Sequence, residues 1–256
     1  MPGMMFLART QMLSQYPLSE ALRTARELGF DGVELCMERE DWSIIDFNAT
    51  TARQARELAA EIGLSWNSLS YHQDYVYDDE KFLATKRLIS LTPVAGCKVF
   101  VFSGSGSKDA DEDAWNRMVA RTRDLVRVAE ANGVIIAKEF EPGYIAGTSA
   151  DMMRLFDEVD SLALCANLDI GHAFLEDDDP VISIKKMGDR IAHCHIEGMG
   201  TGVHRHLLPT EGDLDLKNCL DALIDVGFTG GLALDLYDYD YEKVAPDSLT
   251  YLRSLI

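Results

Sequence analysis

Residues 18–37, LSEALRTARELGFDGVELCM, contain one helix and one strand of the kind that the rest of the chain repeats. The helical part places its apolar residues at the spacing of a single helix face: Leu18, Ala21, Leu22, Ala25 and Leu28. Gly29 is the residue type that most often ends a helix, and the run DGVELCM after it predicts a buried strand. A helix that leads directly into a buried strand is typical of proteins with a parallel sheet.

The same order of elements recurs along the whole chain. The runs that predict strands are MMFLA, DGVELCM, GLSWNSLS, CKVFVFS, GVIIAKE, LALCANLD, IAHCHIE and GLALDLY. Eight strands alternating with helices predict a single α/β domain, residues 1–256, folded as a closed (β/α)8 barrel, the TIM barrel. A doubly wound open sheet is the alternative. Such sheets usually carry a glycine-rich phosphate loop, and FSGSGS at 102–107 lacks the third glycine of that motif.

The charge of the chain excludes a large class of partners. Lys and Arg number 24 against 43 Asp and Glu, and the net charge of −19 repels nucleic acid and anionic membranes. No stretch is long and apolar enough to span a membrane, and the start, MPGMMFLARTQML, lacks the pattern of a signal peptide. The five cysteines form no Cys-x-x-Cys pair, which is typical of a reducing compartment, so we expect a cytoplasmic protein.

Acidic residues and histidines stand where several predicted strands end. In chain order they are Glu34, His72, Glu139, Asp169 with His172, His195 and Asp235. The active site of a (β/α)8 barrel lies at this end of the strands, so we expect these side chains to lie close together. The last four predicted strands together offer three carboxylates and one imidazole. This set of ligands favours a hard divalent metal, Mn²⁺, Mg²⁺ or Co²⁺, and also suits Zn²⁺. Without a cation, carboxylates so close together would repel one another and take up protons.

His193 and His195 are two residues apart in RIAHCHIEGM, residues 190–199, and therefore share one face of a strand. A histidine in an apolar run is commonly a hydrogen-bonded core residue. The residues alone therefore leave open whether either histidine holds a metal.

Four motifs of the chain resemble those of the xylose isomerase-like TIM barrels and occur in the same order. They are GVIIAKEFEPG, NLDIGHAF, IAHCHIEGM with HRHLLPTEGDLDL, and GGLALDLYDY. The superfamily includes sugar phosphate isomerases and epimerases, ketose epimerases, inosose dehydratases and the apurinic endonuclease branch. The resemblance implies a (β/α)8 barrel with one divalent metal per chain, Mn²⁺, Mg²⁺, Co²⁺ or Zn²⁺, held by four residues: Glu139, Asp169, His195 and Asp235. It also implies that His193 lies one layer deeper in the barrel and is structural.

The activity that the resemblance implies is isomerisation or epimerisation of a sugar, a sugar phosphate or a related polyol. Glu139 and Asp235 would remove and return a substrate proton through an enediolate. Four further residues would contact the substrate: His172, His206, His72 and Glu34. Asp235 departs from the family pattern, which usually has Glu in the eighth strand. The missing methylene shifts the carboxylate by roughly 1.5 Å, so Asp235 would bind metal yet be a weak base.

The segment GVHRHLLPTEG, which we expect to form a loop across the barrel mouth, leaves a second metal site open. The endonuclease branch has Asp-x-His at the matching place, so a second Zn²⁺ at His172, His204 and His206 is an alternative. A metal-dependent hydrolase or phosphodiesterase is therefore the main alternative function. An inosose-type dehydratase and a non-catalytic barrel are the others. Arg205 is the candidate partner for a substrate phosphate.

Further expectations concern the surroundings of the site. Aromatic residues of the loop 38–47, Trp42 and Phe47, and those of YHQDYVYDDE would cover a bound sugar or pack within their own loops. Lys138 should point away from Glu139 and carry its ammonium to solvent between barrel and helix. The expected partner is a small-molecule sugar or sugar phosphate, with no nucleic acid and no membrane. The resemblance also allows a homo-oligomer.

Overall fold

The computed structural model describes residues 3–38, 47–64, 66–104, 106 and 111–256, with the backbone alone at Trp66 and Asn67. Within these ranges the parallel strands of the barrel are β1 (Met5–Arg9), β2 (Gly32–Cys36), β3 (Trp66–Ser70), β4 (Val99–Phe102), β5 (Ile135–Glu139), β6 (Leu164–Asp169), β7 (Ile191–Ile196) and β10 (Gly231–Leu234). A hairpin of β8 (Gly198–Gly200) and β9 (Val203–Leu207) lies outside it. The barrel closes in the order β1-β10-β7-β6-β5-β4-β3-β2, which confirms the predicted (β/α)8 fold.

Helices connect the strands. They are α1 (Leu18–Glu27), α2 (Ala49–Ile62), α3 (Asp79–Leu91), α4 (Glu112–Asn132), α5 (Ser149–Val159), α6 (Ile170–Glu176), α7 (Pro180–Met187), α8 (Leu216–Asp225) and α9 (Tyr241–Ser254). Gly63 and Gly133 end α2 and α4 with φ of 82° and 63°, in the left-handed region that favours glycine. The predicted helix ends are confirmed at both. In the described part of the chain, every helix is too short or too polar to cross a membrane.

The interior of the barrel is apolar at depth and polar at the carboxyl ends of the strands. Val99, Val101 and Ala137 form a small buried cluster of their own, separate from the main core. Alternation along β5 puts Ala137 and Glu139 on the same face, so this cluster lies beneath the Glu139 carboxylate. The main core packs the outer face of the strands against the helices. The polar side chains of the barrel interior therefore lie at one end of the barrel.

Lys138 lies on the outer face of β5, as alternation predicts, but its ammonium does not reach solvent. The side chain is fully buried, and Nζ donates to the Glu139 carbonyl at 3.3 Å. Nζ lies 5.6 Å from the ring centre of Tyr75 and 5.7 Å from that of Phe102. Burial lowers the pKa of Lys138 to about 8. The expectation of a solvated ammonium is wrong, because two aromatic rings and one carbonyl enclose it.

Two other expectations about loops also change. The HRH segment is not a loop, because His204 and His206 belong to β9, which pairs antiparallel with β8. Phe47 is buried in the main core, so it packs within the protein and does not cover the barrel mouth. Trp42 lies outside the described residues.

Candidate metal centre

A cavity of about 310 Å³ opens at the carboxyl ends of the strands, where the site is expected. The predicted site residues that line it are His72, Glu139, His172, His204, His206 and Asp235. A larger cleft of about 450 Å³ lies along α7 and α8, but it contains none of the predicted site residues. The chemistry therefore belongs to the smaller cavity.

Three carboxylates surround one nitrogen of His195. Its Nδ1 lies 3.3 Å from Glu139 Oε2, 3.7 Å from Asp235 Oδ2 and 3.9 Å from Asp169 Oδ2. Ligands that are 2.0–2.2 Å from one metal ion lie roughly 3.0–3.5 Å apart, so the four groups are close to the spacing of a coordination shell. The structure thus brings together all four residues predicted to hold the metal.

Several polar atoms of this group are buried without a hydrogen bond. His195 Nδ1, Asp169 Oδ2 and Asp235 Oδ1 have no hydrogen-bond partner among the residues that the structure describes. Burying a neutral polar group unpaired costs roughly 2–7 kcal/mol depending on the reference state, and burying a carboxylate unpaired costs more. A divalent cation beside His195 Nδ1 and Asp169 Oδ2, which lie 3.9 Å apart, would satisfy both of these atoms. The donor set therefore fits a hard or borderline divalent metal.

Glu34 orients His195 from below. Its Oε2 accepts from His195 Nε2 at 3.0 Å, and its Oε1 accepts from Arg9 Nε at 3.1 Å. A proton on Nε2 leaves the lone pair of Nδ1 facing the three carboxylates, as in carboxylate–histidine–metal arrangements. Burial lowers the pKa of His195, but Glu34 and Glu139 outweigh burial and raise the pKa to about 9, so a metal ion at Nδ1 would replace the second ring proton. The expected contact between Glu34 and substrate is corrected here, because Glu34 is fully buried beneath the cavity and is not among its lining residues.

His193 lies one layer deeper and supports Glu139. Its Nδ1 is 2.8 Å from Asn167 Oδ1, and Asn167 Nδ2 donates to Glu139 Oε2 at 2.8 Å. Ser68 Oγ lies 3.1 Å from His193 Nε2. Burial lowers the pKa of His193 to about 3, so the ring is neutral. The geometry agrees with the structural role expected for His193.

Asp169 both ends β6 and begins α6. Its Oδ1 accepts from the backbone N–H of His172 at 2.8 Å, which leaves Oδ2 facing the cavity side of the turn. At Gly171, a Cβ atom would collide with Glu197 Oε1 and with the methyl group of Met199. Any side chain at position 171 would thus require the ends of the Glu197 and Met199 side chains to shift, and the hydrogen bond from His172 N fixes Asp169 relative to His172.

Three imidazoles meet beside the carboxylate cluster. His172 Nε2 lies 2.9 Å from His204 Nε2, and the His206 ring centre is 5.9 Å from that of His172. His172 Nδ1 donates to the carbonyl of Phe140 at 3.2 Å, and His206 Nδ1 to the carbonyl of Asp235 at 3.1 Å. In both rings a backbone carbonyl thus fixes the proton on Nδ1 and leaves the lone pair of Nε2 able to accept a hydrogen bond or bind a metal.

His72 approaches the cavity from the end of β3, as expected. Its Nδ1 is 3.1 Å from Ser103 Oγ and 3.6 Å from Glu139 Oε2. Burial lowers the pKa of His72, but the neighbouring Glu34 and Glu139 carboxylates outweigh it and raise the pKa.

Two buried charged groups at the site were not assigned a role from the sequence. Arg9 ends β1, and its Nη1 donates to both Asp235 Oδ2 and the Tyr237 hydroxyl. Glu197 lies two residues after His195, on the same face of the chain, and accepts from Gly171 N at 2.9 Å. Burial, with the carboxylates of Asp169 and Asp235, raises the pKa of Glu197 well above its ordinary value. The signal for Arg9 was a lone arginine ending an apolar run, and that for Glu197 was the i, i+2 spacing.

Comparison with known proteins agrees with the barrel fold. A model of the family described as "Xylose isomerase-like TIM barrel" matches residues 22–255. Fructoselysine 3-epimerase from Escherichia coli O157:H7 is 24% identical over 263 residues, covering 94% of each protein. L-ribulose 3-epimerase from Mesorhizobium japonicum is 25% identical over 234 residues, 88% of this chain and 77% of that protein.

Solved structures share the fold over almost the whole chain. The probable 3-DHS dehydratase AsbF from Bacillus anthracis superposes with a TM-score of 0.84 at 18% identity, covering 98% of this chain and 99% of that one. The IOLI protein, solved with a bound zinc atom, superposes with a TM-score of 0.79 at 19% identity, covering 98% and 96%. At these identities the likeness establishes the fold alone.

Proposed function

The chain belongs to the xylose isomerase-like TIM barrel family, and from that membership we propose that it is a divalent-metal-dependent epimerase of ketose sugars. The observation that carries the proposal is the group of three carboxylates around His195 Nδ1 at 3.3–3.9 Å. The curated relatives that match most of the chain include fructoselysine 3-epimerase, L-ribulose 3-epimerase and L-ribulose-5-phosphate 3-epimerase, whereas the inosose dehydratases match only 34% of it, which favours epimerisation over dehydration. The substrate is a small-molecule sugar, and an inosose-type dehydratase is the more distant alternative.

Four residues would hold the metal: Glu139, Asp169, His195 and Asp235. When bound, a divalent ion supplies a Lewis acid that polarises the substrate carbonyl and stabilises the negative charge that forms next to it. One ion of Mn²⁺, Mg²⁺, Co²⁺ or Zn²⁺ per chain matches this donor set. The unpaired buried atoms of His195, Asp169 and Asp235 are the structural support for that assignment.

Glu139 and Asp235 would carry the proton. Glu139 ends β5, and Asp235 directly follows β10. Two strands separate β5 from β10 on one side of the barrel and four on the other. The two carboxylates therefore approach the cavity from different directions. One carboxylate takes the proton from the carbon next to the carbonyl, and the other returns a proton to the opposite face, which inverts that carbon. Asn167 holds Glu139 Oε2 for this step.

Histidines at the cavity wall would orient the sugar hydroxyls. His172 and His206 each donate one ring N–H to a backbone carbonyl, so the other nitrogen of each ring can face the substrate. His72 lies on the opposite side of Glu139 from His172 in strand order and would contact the remaining hydroxyls. Arg205 is not placed for a phosphate, because its Nε pairs with Asp238 at 3.2 Å on the surface.

A second Zn²⁺ at His172, His204 and His206 is the alternative that a specific contact favours. The Nε2 atoms of His172 and His204 lie 2.9 Å apart, so either one ring donates an N–H to the other or a cation is shared between the two nitrogens. If zinc occupies this place, a metal-dependent hydrolase becomes the competing function. Elemental analysis separates the two: H204A lowers a zinc content of two per chain to one if the second site exists, and leaves the metal content unchanged if it does not.

The direct test of the epimerase is conversion of ketoses by protein loaded with Mn²⁺, Co²⁺, Mg²⁺ or Zn²⁺ in turn. D-fructose, L-ribulose and fructoselysine are the first probes, and the readouts are the epimer formed and the uptake of deuterium from D₂O at the inverted carbon. E139Q should abolish both readouts, whereas E57Q, the same change on the exposed surface of α2, should leave them intact. Failure of every ketose with every metal, or full activity of E139Q, would refute the proposal. The cytoplasmic location and a homo-oligomer remain predictions.

A further inference from the structure

Arg9 is an unusual group to find at the bottom of a metal site. Its side chain is only 2% exposed, and it lines the cavity at the end of β1. Nε donates to Glu34 Oε1 at 3.1 Å, and Nη1 donates to the Tyr237 hydroxyl at 2.6 Å and to Asp235 Oδ2. The guanidinium is therefore held at three points, once from β2 and twice from the segment that follows β10.

The Arg9 guanidinium and a bound divalent metal ion would repel each other, so neighbouring carboxylates must offset that repulsion. Burying a guanidinium requires compensating carboxylates, and a divalent metal next to it adds repulsion. Glu34 supplies one compensating charge and at the same time orients His195. Asp235 supplies the other, and it is also the proposed ligand from the last barrel strand.

The space around Asp235 is matched to a short side chain. Its backbone N–H donates to the Ile196 carbonyl at 3.2 Å, which fixes where the side chain starts. Its Oδ2 already contacts Arg9 Nη1 while lying 3.7 Å from His195 Nδ1. One additional methylene would move the carboxylate by roughly 1.5 Å. The group would then run into the guanidinium or pass the position that faces His195.

We propose that Arg9 is a positioning residue that adapts the metal site to aspartate at position 235. Held by Glu34 and Tyr237, its guanidinium occupies the place that a longer glutamate would need and binds one oxygen of Asp235. The carboxylate of Asp235 is thereby set at the correct distance from the other ligands. The inference rests on the proposed function in one respect, the role of Asp235 as a metal ligand.

The test compares aspartate and glutamate at position 235 in two backgrounds. Affinity for Co²⁺ is measured by competition with a chelator and by the visible absorption of the bound ion, with thermal unfolding as the check of the fold. In the wild-type background, D235E should weaken Co²⁺ binding at least tenfold. In the R9M/E34Q background, which removes the buried charge pair together and keeps a hydrogen-bond acceptor for His195, D235E should bind Co²⁺ more tightly than aspartate does.

Each outcome is decisive. If D235E binds Co²⁺ as tightly as wild type while Arg9 is present, or if aspartate is preferred in both backgrounds, the proposal is overturned. R9K serves if R9M/E34Q does not fold: it keeps the charge but not the planar group that contacts Glu34, Asp235 and Tyr237 together, and it should reduce the preference for aspartate. D235N separates this inference from the proposed function. Unchanged Co²⁺ affinity in D235N means that Asp235 is not a ligand, whereas weakened binding in D235N shows that it is one and leaves the comparison of the two Arg9 backgrounds to decide the positioning role.

Discussion

Replacing Glu34 by alanine removes the group that joins Arg9 to His195. E34A deletes two charge-assisted hydrogen bonds, 3.1 Å to Arg9 Nε and 3.0 Å from His195 Nε2, and leaves a guanidinium that is 2% exposed with Asp235 as its remaining carboxylate. Breaking a buried ion pair costs about 3–5 kcal/mol. At 2–4 °C per kcal/mol for a chain of about this size, the midpoint of thermal unfolding should fall by roughly 6–20 °C.

The assay is urea and thermal unfolding in the presence of a chelator, so that stability is measured apart from metal binding. E34Q is the matched variant: it keeps an acceptor for His195 and should lose less than half as much free energy of unfolding as E34A. Metal affinity, measured separately, should fall about 10–100-fold in E34A, because the tautomer and orientation of His195 are no longer fixed. A free energy of unfolding for E34A within 1 kcal/mol of wild type would show that the Arg9–Glu34–His195 chain contributes little, and the reasoning would be wrong.

Further predictions address acid stability, the Asp169 turn and substrate charge. His193, with its pKa lowered by burial to about 3, stays neutral in the folded protein while the unfolded chain takes up a proton below about pH 6.5. Its contribution to the free energy of unfolding is therefore complete above pH 6.5 and is lost as the pH falls. In urea titrations, the free energy of unfolding of wild type relative to that of H193Q should drop by about 2 kcal/mol between pH 7 and pH 5. A difference that stays constant over this range would contradict the prediction. G171A should lower the free energy of unfolding by about 1–3 kcal/mol and weaken metal binding, because the new methyl group displaces Glu197. G200A is the control, since no atom lies near its new methyl group, and it should change neither stability nor metal binding. Equal effects of the two variants would argue against close packing at Gly171. A ketose phosphate should bind at least tenfold more weakly than the free ketose in competition assays, because Arg9 is neutralised by two carboxylates; tighter binding of the phosphate would reverse the conclusion.

The barrel and the ring of strand-end ligands could be predicted because both follow from local patterns. Alternating helix and strand periods require parallel strands, and parallel strands in a barrel bring their carboxyl ends to one side. Glu139, Asp169, His195 and Asp235 each stand at the end of such a run, so their convergence needs no knowledge of side-chain conformations. Family motifs then distinguished His195 from His193.

The contacts beneath the cavity could not be predicted, because they depend on how the barrel closes. Arg9 meets Asp235 across 226 positions of sequence, and His195 meets Glu34 across 161. Both contacts depend on the pairing of β1 with β10 and β2, which no local pattern reports. For the same reason Glu34 was expected in the cavity, although closure of the barrel places it below His195.

Lys138 illustrates a different limit. Alternation correctly placed it on the outer face of β5, but its burial depends on Tyr75 and Phe102, which come from other parts of the chain. The sequence indicates which face of the strand a side chain points from. How deeply other parts of the chain bury that side chain depends on the tertiary structure. The hairpin of β8 and β9 is comparable, since within the described residues its short strands pair with each other and not with the barrel.

The measurement that tests the central claim most directly is the metal content of protein purified without chelator, determined for wild type, D169N and D225N. Asp169 supplies one of the unpaired buried oxygens that face His195, whereas Asp225 is exposed at the end of α8. The account predicts at least one divalent ion per chain in wild type and D225N, and loss of one ion per chain in D169N. Wild-type protein that takes up no divalent metal even after soaking, or D169N with its full metal content, would contradict the assignment of the site.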